Sequence, residues 1–505
     1  MFGSSVLLLG LLVTWITPLW LLSVGVALGV AVLGIGYGAL FLVSRRLAEE
    51  AYTSVREGIL LPIFYLAACL TVFAVVGIFL VPGIPYRPLM TAVSRIAAVG
   101  PAQIDVVVPA ATHDFELPLH VRLAELTAFT LESNQPLTIT TNITSSIVQT
   151  LGIRLTSGTA YQWDKNTAYD REKERDKIPT PETSKFLATN VTASPAKLRI
   201  QTFTDIEFPE VRVVPAAALS LIGLFGIYFA VRVAMPKVAA IALTTAKEAT
   251  AQPLFYVTLA LGVFSLLSFI FVPYYTFGED VKMLKDSGLT LIMVLAMIVA
   301  VWSASVSVSE EVEGRTALTV LSKPVQRRQF MLGKLLGVLG PVVVLFIVLG
   351  LLFLVTVSFK VVYDSREVAK TEPSWQACYL EMIRTVPGLV LAFLETVVLA
   401  SISVAISTRL PMLANLLVCA SIYVLGHLVP MLVNSSVGKF EIVRFVGQFI
   451  ATVLPVMDHF NIQAAVAAGA AVPLGYLGMA LVYCLLYSSI AMLLGLAMFE
   501  DRDLA

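Results

Sequence analysis

The most informative run of chemically capable side chains in this sequence is Ser309 to Lys334, SEEVEGRTALTVLSKPVQRRQFMLGK. Glu310, Glu311 and Glu313 open it, and Lys323, Arg327, Arg328 and Lys334 close it. Acids at a helix N-terminus and bases toward its C-terminus each favour the helix dipole, by about 0.3–1 kcal/mol when exposed. Between them Ala317, Leu318, Val320 and Leu321 form an apolar stripe, and Lys323-Pro324 stops the helix. A helix this short is unstable alone. Its chemistry is therefore docking to another protein, unless it is simply a charged loop between two apolar runs. The residues by themselves leave both readings open.

Three further polar residues sit inside apolar runs: Glu395, Asn415 and His427. A carboxylate in mid-membrane costs about 2.5–3.5 kcal/mol on insertion scales, so Glu395 should face the bundle interior, a partner or water. The group either lines a polar path for substrate or coupling, or makes interhelical hydrogen bonds worth under about 1 kcal/mol net. Tyr65, Ser303, Ser305 and Ser307 are cheaper to bury. No catalytic residue and no metal-ligand set stand out. The Gly-Lys steps Gly333-Lys334-Leu335 and Gly438-Lys439-Phe440 lack the hydroxyl of a phosphate loop. GxSxG and HExxH are absent, and His113, His120, His427 and His459 are scattered. Asp458-His459 are neighbours, which do not face each other on a helix. The chain is expected not to be an enzyme and to need no cofactor.

The elements that must position these residues are membrane helices. Of 505 residues 58% are apolar and 13% charged, against roughly 45–50% and 25% in soluble domains. Apolar runs of about 20 residues recur, the length that crosses roughly 30 Å of hydrocarbon. This excludes a soluble enzyme, a disordered chain and a fibre. With 34 basic and 34 acidic residues the charges cancel, and no nucleic-acid partner is indicated. Cys69, Cys419 and Cys484 lie in apolar runs and Cys378 stands alone, so no disulfide framework is expected.

The expected fold is mostly α, a polytopic membrane protein of about nine transmembrane helices with an inserted extracytoplasmic β-sandwich-like domain. Residues 1–84 hold two membrane segments around a cytoplasmic loop at 44–58. The run Val6–Val43 lacks the basic start of a cleavable signal, and Thr17-Pro18 marks a break that leaves one span plus a short piece, or a hairpin. Residues 85–213 alternate with period two, as in Leu119–Leu123, Leu137–Thr140, Lys197–Thr202 and Ile104–Val106, which reads as antiparallel strands. The charge run Asp170–Lys177 reads as solvated loop. The triplets at Asn142, Asn190 and Asn434 match a glycosylation pattern common by chance. A third span occupies 214–236. Residues 237–505 hold six spans, at about 253–273, 289–308, 336–357, 387–407, 413–433 and 473–498, after an amphipathic surface helix at 237–252. Thirteen Lys and Arg fall in the loops on the side of Arg315 and eight in the short loops opposite. This bias puts the 309–334 loop and the C-terminus in the cytoplasm and the β domain outside.

The stretch Glu310-Glu311-x-Glu313-Gly314-Arg315-Thr316, then Leu321-Ser322-Lys323-Pro324-Val325-Gln326-Arg327-Arg328-Gln329-Phe330 and Gly333-Lys334, closely resembles the cytoplasmic loop of ABC-2 type ABC transporter permeases. The branch that supports nitrous-oxide reductase maturation is especially similar. The resemblance covers about Lys237 to Ala505, including the ending Phe499-Glu500-Asp501-Arg502-Asp503. It implies a permease subunit in a prokaryotic cytoplasmic (inner) membrane, surrounded by lipid. This subunit would pair with itself or a sister permease and be energised by two copies of a separate ABC ATPase. The loop would hold the coupling helix 310–324, with Glu310, Glu311, Glu313, Gly314, Arg315, Thr316, Leu321 and Pro324 at the ATPase. Arg327, Arg328 and Lys334 would lead into the next span. Export of a lipid-linked, glycan or hydrophobic substrate is the implied activity. The first 236 residues depart from the six-span pattern. They motivate an alternative, a mechanotransmission protein that remodels the envelope through its β domain without transport. A membrane scaffold that no ATPase touches is the third possibility.

Overall fold

The computed structural model describes residues 2–81, 83–117, 125–142, 153–164, 185–272, 279–309, 325–367, 372–434, 441–442, 445, 447, 449–450 and 454–500. The chain forms two compact units, one of residues 1–84 with 213–505 and the other of residues 85–212.

The larger unit is helical. Its first helix, α1 (Phe2–Val43), runs straight through Pro18, so the expected break or hairpin does not occur. Proline removes one backbone donor, the one that would meet the Thr14 carbonyl, and the buried Ile16, Trp20 and Leu21 on either side of it hold the helix together by packing. Thr17 donates its hydroxyl to the Val13 carbonyl at 2.6 Å. The buried Trp20 indole then fastens α1 to α3 (Leu61–Leu80) by donating to the Ala74 carbonyl at 2.9 Å. Between them lies the short α2 (Arg45–Arg56), capped by the Ser44 side chain, which accepts from the Leu47 amide.

The chain re-enters this unit as α5 (Val213–Ala234), α4 being in the other unit, and α5 lies against α1 on a seam of small residues. A Cβ added at Gly25 would stand 2.6 Å from the Val214 carbonyl oxygen, and one at Gly29 would stand 3.2 Å from the Ala218 backbone. Without a hydrophobic force between helices in lipid, such close backbone approach supplies the attraction.

Then follow α6 (Pro236–Ala251) and α7 (Pro253–Phe271), each with proline in its first turn, where no donor is lost. The rest are α8 (Asp280–Ala304), α9 (Arg327–Glu367), α10 (Trp375–Ile406), α11 (Met412–Asn434), the short α12 (Gln463–Ala467) and α13 (Leu474–Glu500).

Among the described residues eight helices are long and apolar enough to cross a membrane: α1, α3, α5, α7, α8, α9, α10 and α13. The expected ninth span is α11, whose described apolar part, Met412–Leu428, is shorter. Three helices overrun their expected spans, and α8 does so by starting at Asp280. At 41 residues α9 is about 61 Å long, twice the hydrocarbon thickness. α10 begins twelve residues before Pro387, because Ser374 caps it and Cys378, Met382 and Thr385 are buried along its first turns.

The centre of the unit is α8 and α10, most of whose residues are buried, wrapped by α7, α9, α11 and α13. The N-terminal helices belong to the same core, which includes Ile63 and Ala67 of α3 and Leu221 and Phe225 of α5. Charges are buried between α8, α9 and α10 at one end. Lys285 pairs with Glu381, and Lys360 lies 3.7 Å from Asp280 while donating to the Ile270 carbonyl at 3.1 Å.

The smaller unit opens with α4 (Tyr86–Arg95). Its eight strands are β1 (Pro101–Val108), β2 (Thr112–Glu116), β3 (Leu126–Ser133), β4 (Leu137–Asn142), β5 (Ile153–Leu155), β6 (Ala160–Asp164), β7 (Lys185–Asn190) and β8 (Ala196–Thr204). They form two antiparallel sheets, ordered β1-β8-β3-β6 and β2-β7-β4-β5. Inward residues of both sheets, among them Leu131, Leu198, Ile200, Ile139, Leu155 and Ala188, make one sandwich core. Arg95 of α4 grips Glu125 bidentately, with one contact at 2.6 Å. Asn190 is fully buried, its amide donating to the Pro109 and Ser194 carbonyls at 3.0 Å each. The alternating run Leu119–Leu123 and the charge run Asp170–Lys177 lie outside the described residues.

Candidate functional site

The expected docking element lies outside the described residues, and with it Glu310, Glu311, Glu313, Gly314, Arg315, Thr316, Leu321 and Pro324. Both of its attachments are described. On one side α8 ends in a π-helical turn, Ser305–Ser309. On the other, α9 starts at Arg327 after Gln326, whose amide donates to the Gln329 side chain at 3.2 Å.

The three bases that follow the loop part company. The Arg327 guanidinium lies 5.8 Å from the centre of the Phe499 ring, near the end of α13. Phe330 stacks on Phe499 at 5.7 Å and 14°. The Lys334 ammonium, buried, lies 5.5 Å from the centre of the Phe330 ring. Cation, ring, ring, cation is thus one column, held by burial and by charge–quadrupole attraction of about 0.5–2 kcal/mol per contact. Arg328 is exposed and outside that column. Beside it Arg409, from the α10–α11 turn, donates to the Met498 carbonyl at 2.7 Å.

The first turns of α9 are also held by α6. Gly333, Gly337 and Gly340 lie at spacings of four and three, on one face of α9. Added Cβ atoms would meet Ile241 at 2.7 Å, Thr245 at 2.5 Å and Ala246 at 3.0 Å respectively. Val238, Ala242, Thr245, Ala246 and Ala249 of α6 are buried. The surface helix expected at 237–252 is therefore docked on α9 along a glycine seam. Ile59, just after α2, reaches the same seam at Gly340.

The near attachment is tied down twice. Trp302 of α8 donates its indole N–H to Gln252, between α6 and α7, at 2.8 Å. Asn415 of α11 is fully buried, and its amide nitrogen lies 2.7 Å from Ser305 Oγ, 2.9 Å from Ser403 Oγ and 2.9 Å from Ser407 Oγ. Its carbonyl oxygen faces the Cys419 thiol at 3.3 Å.

The three intramembrane polar residues do not form one lining. Asn415 belongs to the loop end, whereas His427 stands twelve residues further along α11, about 18 Å away. There the His427 Nε2 is 3.3 Å from a carboxylate oxygen of Glu395, which is buried. That oxygen has no hydrogen bond of good geometry. Nδ1 of the same ring is 3.1 Å from the Tyr423 carbonyl.

Several participants escaped the sequence reading. Gln252, Trp302, Ser403, Ser407, Gly337 and Gly340 carry no pattern of their own, although hydroxyls at 303, 305, 307 and 309 and at 401, 403 and 407 signal polar contact within apolar runs. As to metal ligands, the group that the described residues bring together is Asp280, Asp364 and Glu367, with ligand oxygens within 4.8 Å of one another. Lys360 supplies countercharge there.

The sequence profile described as ABC-2 family transporter protein matches residues 227–504, more than half of the chain and all of its helices from α6 onward. No curated protein matches the chain.

Proposed function

Since this chain belongs to the ABC-2 transporter family, a family of multi-pass membrane permeases that normally work with an ABC ATPase, we propose that its 310–324 loop is the segment on which that ATPase acts. In this reading the loop is cytoplasmic and contains a coupling helix. Two ATPase subunits bind a homodimer or a pair of sister permeases, and their closure pushes the loop. The exported cargo is lipid-linked, glycan or hydrophobic.

The observation that carries the reading is the anchoring of both loop attachments. A push on the loop meets α8 at a turn held by Asn415 and Trp302, and α9 at a column shared with α13 and a seam shared with α6. Force delivered there enters a packed core through two anchored helix ends rather than a slack tether. The test is purification of the tagged chain from its native membrane, followed by a search for a co-purifying protein with a phosphate loop. The wild type retains that ATPase and the Glu313→Ala/Arg315→Ala variant loses it while remaining inserted. Retention by the variant at wild-type level refutes the assignment of the loop.

A second reading is favoured by one feature: residues 85–212 form a unit with its own core, inserted between α3 and α5. On that reading ATP-driven motion serves envelope remodelling through an extracytoplasmic β unit, without transport. Deleting residues 85–212 separates the two, since export of a small solute survives in part and remodelling disappears.

A further inference from the structure

We propose that Asn415 is a positioning residue that latches the π-helical turn Ser305–Ser309, and so the near attachment of the coupling loop, to the ends of α10 and α11. The inference rests on the coupling role given above to residues 310–324.

The latch is built from an imbalance. A side-chain amide nitrogen has two hydrogens, yet three serine oxygens surround that of Asn415 at 2.7–2.9 Å. Two of these hydroxyls have already committed their own protons within their helices. Ser305 donates to the Val301 carbonyl at 2.7 Å and Ser407 to the Ser403 carbonyl at 2.6 Å. Each therefore meets Asn415 as an acceptor. The amide can hold Ser305 together with one serine of α10, which ties α8, α10 and α11 at one point. It can also hold both serines of α10 and let Ser305 go. In the second arrangement no donor is orphaned, because Ser305 keeps Val301 and the amide keeps two acceptors. Two arrangements in which Ser305, Ser407 and the amide all keep acceptors for their protons are what a switchable contact requires, since leaving a buried donor unmade is what ordinarily forbids release.

The turn that Asn415 holds is itself out of the ordinary. π-helical turns are rare, are less favourable than the α-helix they interrupt, and are found chiefly where function requires them. In this one the Ser307 hydroxyl is buried with no partner among the described residues, a further cost that the surroundings must offset. The turn therefore persists because neighbours hold it, and Asn415 is the neighbour that bonds to it from three helices further along the chain. Release of Ser305 lets the turn relax and frees the loop attachment to move relative to α10. With Ser305 engaged, a displacement of the loop is passed to α10 and α11 directly.

The test compares wild type, Asn415→Leu and Ser305→Ala as full chains in nanodiscs by hydrogen–deuterium exchange. Both variants should raise exchange at the amides of residues 303–309 by about fivefold to tenfold, the loss of one net hydrogen bond, with α5 unchanged. The double variant should add nothing to Asn415→Leu alone. In the complex with the co-purified ATPase, wild type should change its protection at 303–309 between the nucleotide-free state and ATP with orthovanadate. Asn415→Leu should retain the ATPase and lose that change, a result that a merely structural role does not produce. Unchanged exchange at 303–309 in both variants overturns the latch, as does a vanadate response that survives in Asn415→Leu. If Asn415→Leu loosens the whole chain, the milder Ser305→Ala decides by the same two criteria. If wild type brings down no ATPase, the coupling reading fails, and the latch is judged on the exchange data alone.

Discussion

The glycine seam between α6 and α9 can be measured with two alanines. At Gly337 an added methyl would stand 2.5 Å from the Thr245 Cβ and 2.9 Å from the Ala242 carbonyl oxygen. Carbon atoms are at ease near 3.5–4.0 Å, so the two helices must separate by about 1 Å. A gap of that size forfeits roughly a quarter to a half of the dispersion attraction along the seam, and overpacking of this kind costs about 1–3 kcal/mol. Against it stands the gain of about 1 kcal/mol from replacing glycine by alanine within a helix. Gly226, in the interior of α5, is the control, because nothing lies within 4 Å of its added Cβ. Gly226→Ala keeps the propensity gain and has no clash. The propensity term cancels between the two variants, and their difference, about 1–3 kcal/mol, reports the seam alone. Equilibrium unfolding in mixed micelles of rising denaturing-detergent fraction measures it. Gly337→Ala should unfold earlier than wild type or at the same point, and Gly226→Ala later. If both alanines shift stability equally, α6 is not packed on α9 as described, and the anchoring of the loop's far attachment loses its main support.

The ion pair between α8 and α10 should show strong asymmetry. Glu381→Leu leaves the fully buried Lys285 uncompensated at a cost of about 3–5 kcal/mol, whereas Glu381→Leu with Lys285→Met costs less, and an equal loss in the same unfolding assay counts against the pair. In the β unit, Asn190→Ala should cost about 1–3 kcal/mol by stranding the Pro109 and Ser194 carbonyls, visible as faster exchange in the β7–β8 turn. For the same reason Asn190 should stay unmodified in a glycosylating host despite its Asn-Val-Thr triplet, and a glycan found there by mass spectrometry contradicts its burial. Glu395→Gln should stay within about 1 kcal/mol of wild type, the usual size of an interhelical polar contact, and a much larger loss means that the carboxylate anchors more than His427.

Much of the architecture could be read from the chain because lipid and period-two alternation each impose a pattern. Apolar runs marked the membrane helices, and alternation at Leu137–Thr140 and Lys197–Thr202 marked β4 and β8. The readings that missed concerned proline. Thr17-Pro18 and Pro387 look like boundaries when the chain is read locally, yet both lie inside helices. Local rules price the missing donor. They do not see the buried Ile16, Trp20 and Leu21 that pack α1 on either side of Pro18, nor the buried first turns of α10 that hold the helix beyond its proline. The expected outer loops also shrank, since residues 359–367 and 375–386 are helical extensions of α9 and α10.

The polar residues separate what a sequence can specify from what it cannot. Each of Glu395, Asn415 and His427 announced itself by its cost in an apolar run, but cost says nothing about partners. Within the α10–α11 hairpin the partners follow from the turn near Arg409. Antiparallel helices set residues at comparable distances from their turn opposite each other, which puts Ser403 by Asn415 and Glu395 by His427. That step needs only the hairpin. Ser305 needs more, because it is 110 residues away and reaches Asn415 only through the packing of α8 against both helices. The contact that matters most to the proposed transmission is therefore the one with no local signature. The repeated serines from 303 to 309 gain meaning only once α8 is placed, when one of them bonds to Asn415 and another, Ser307, is left buried without a partner among the described residues.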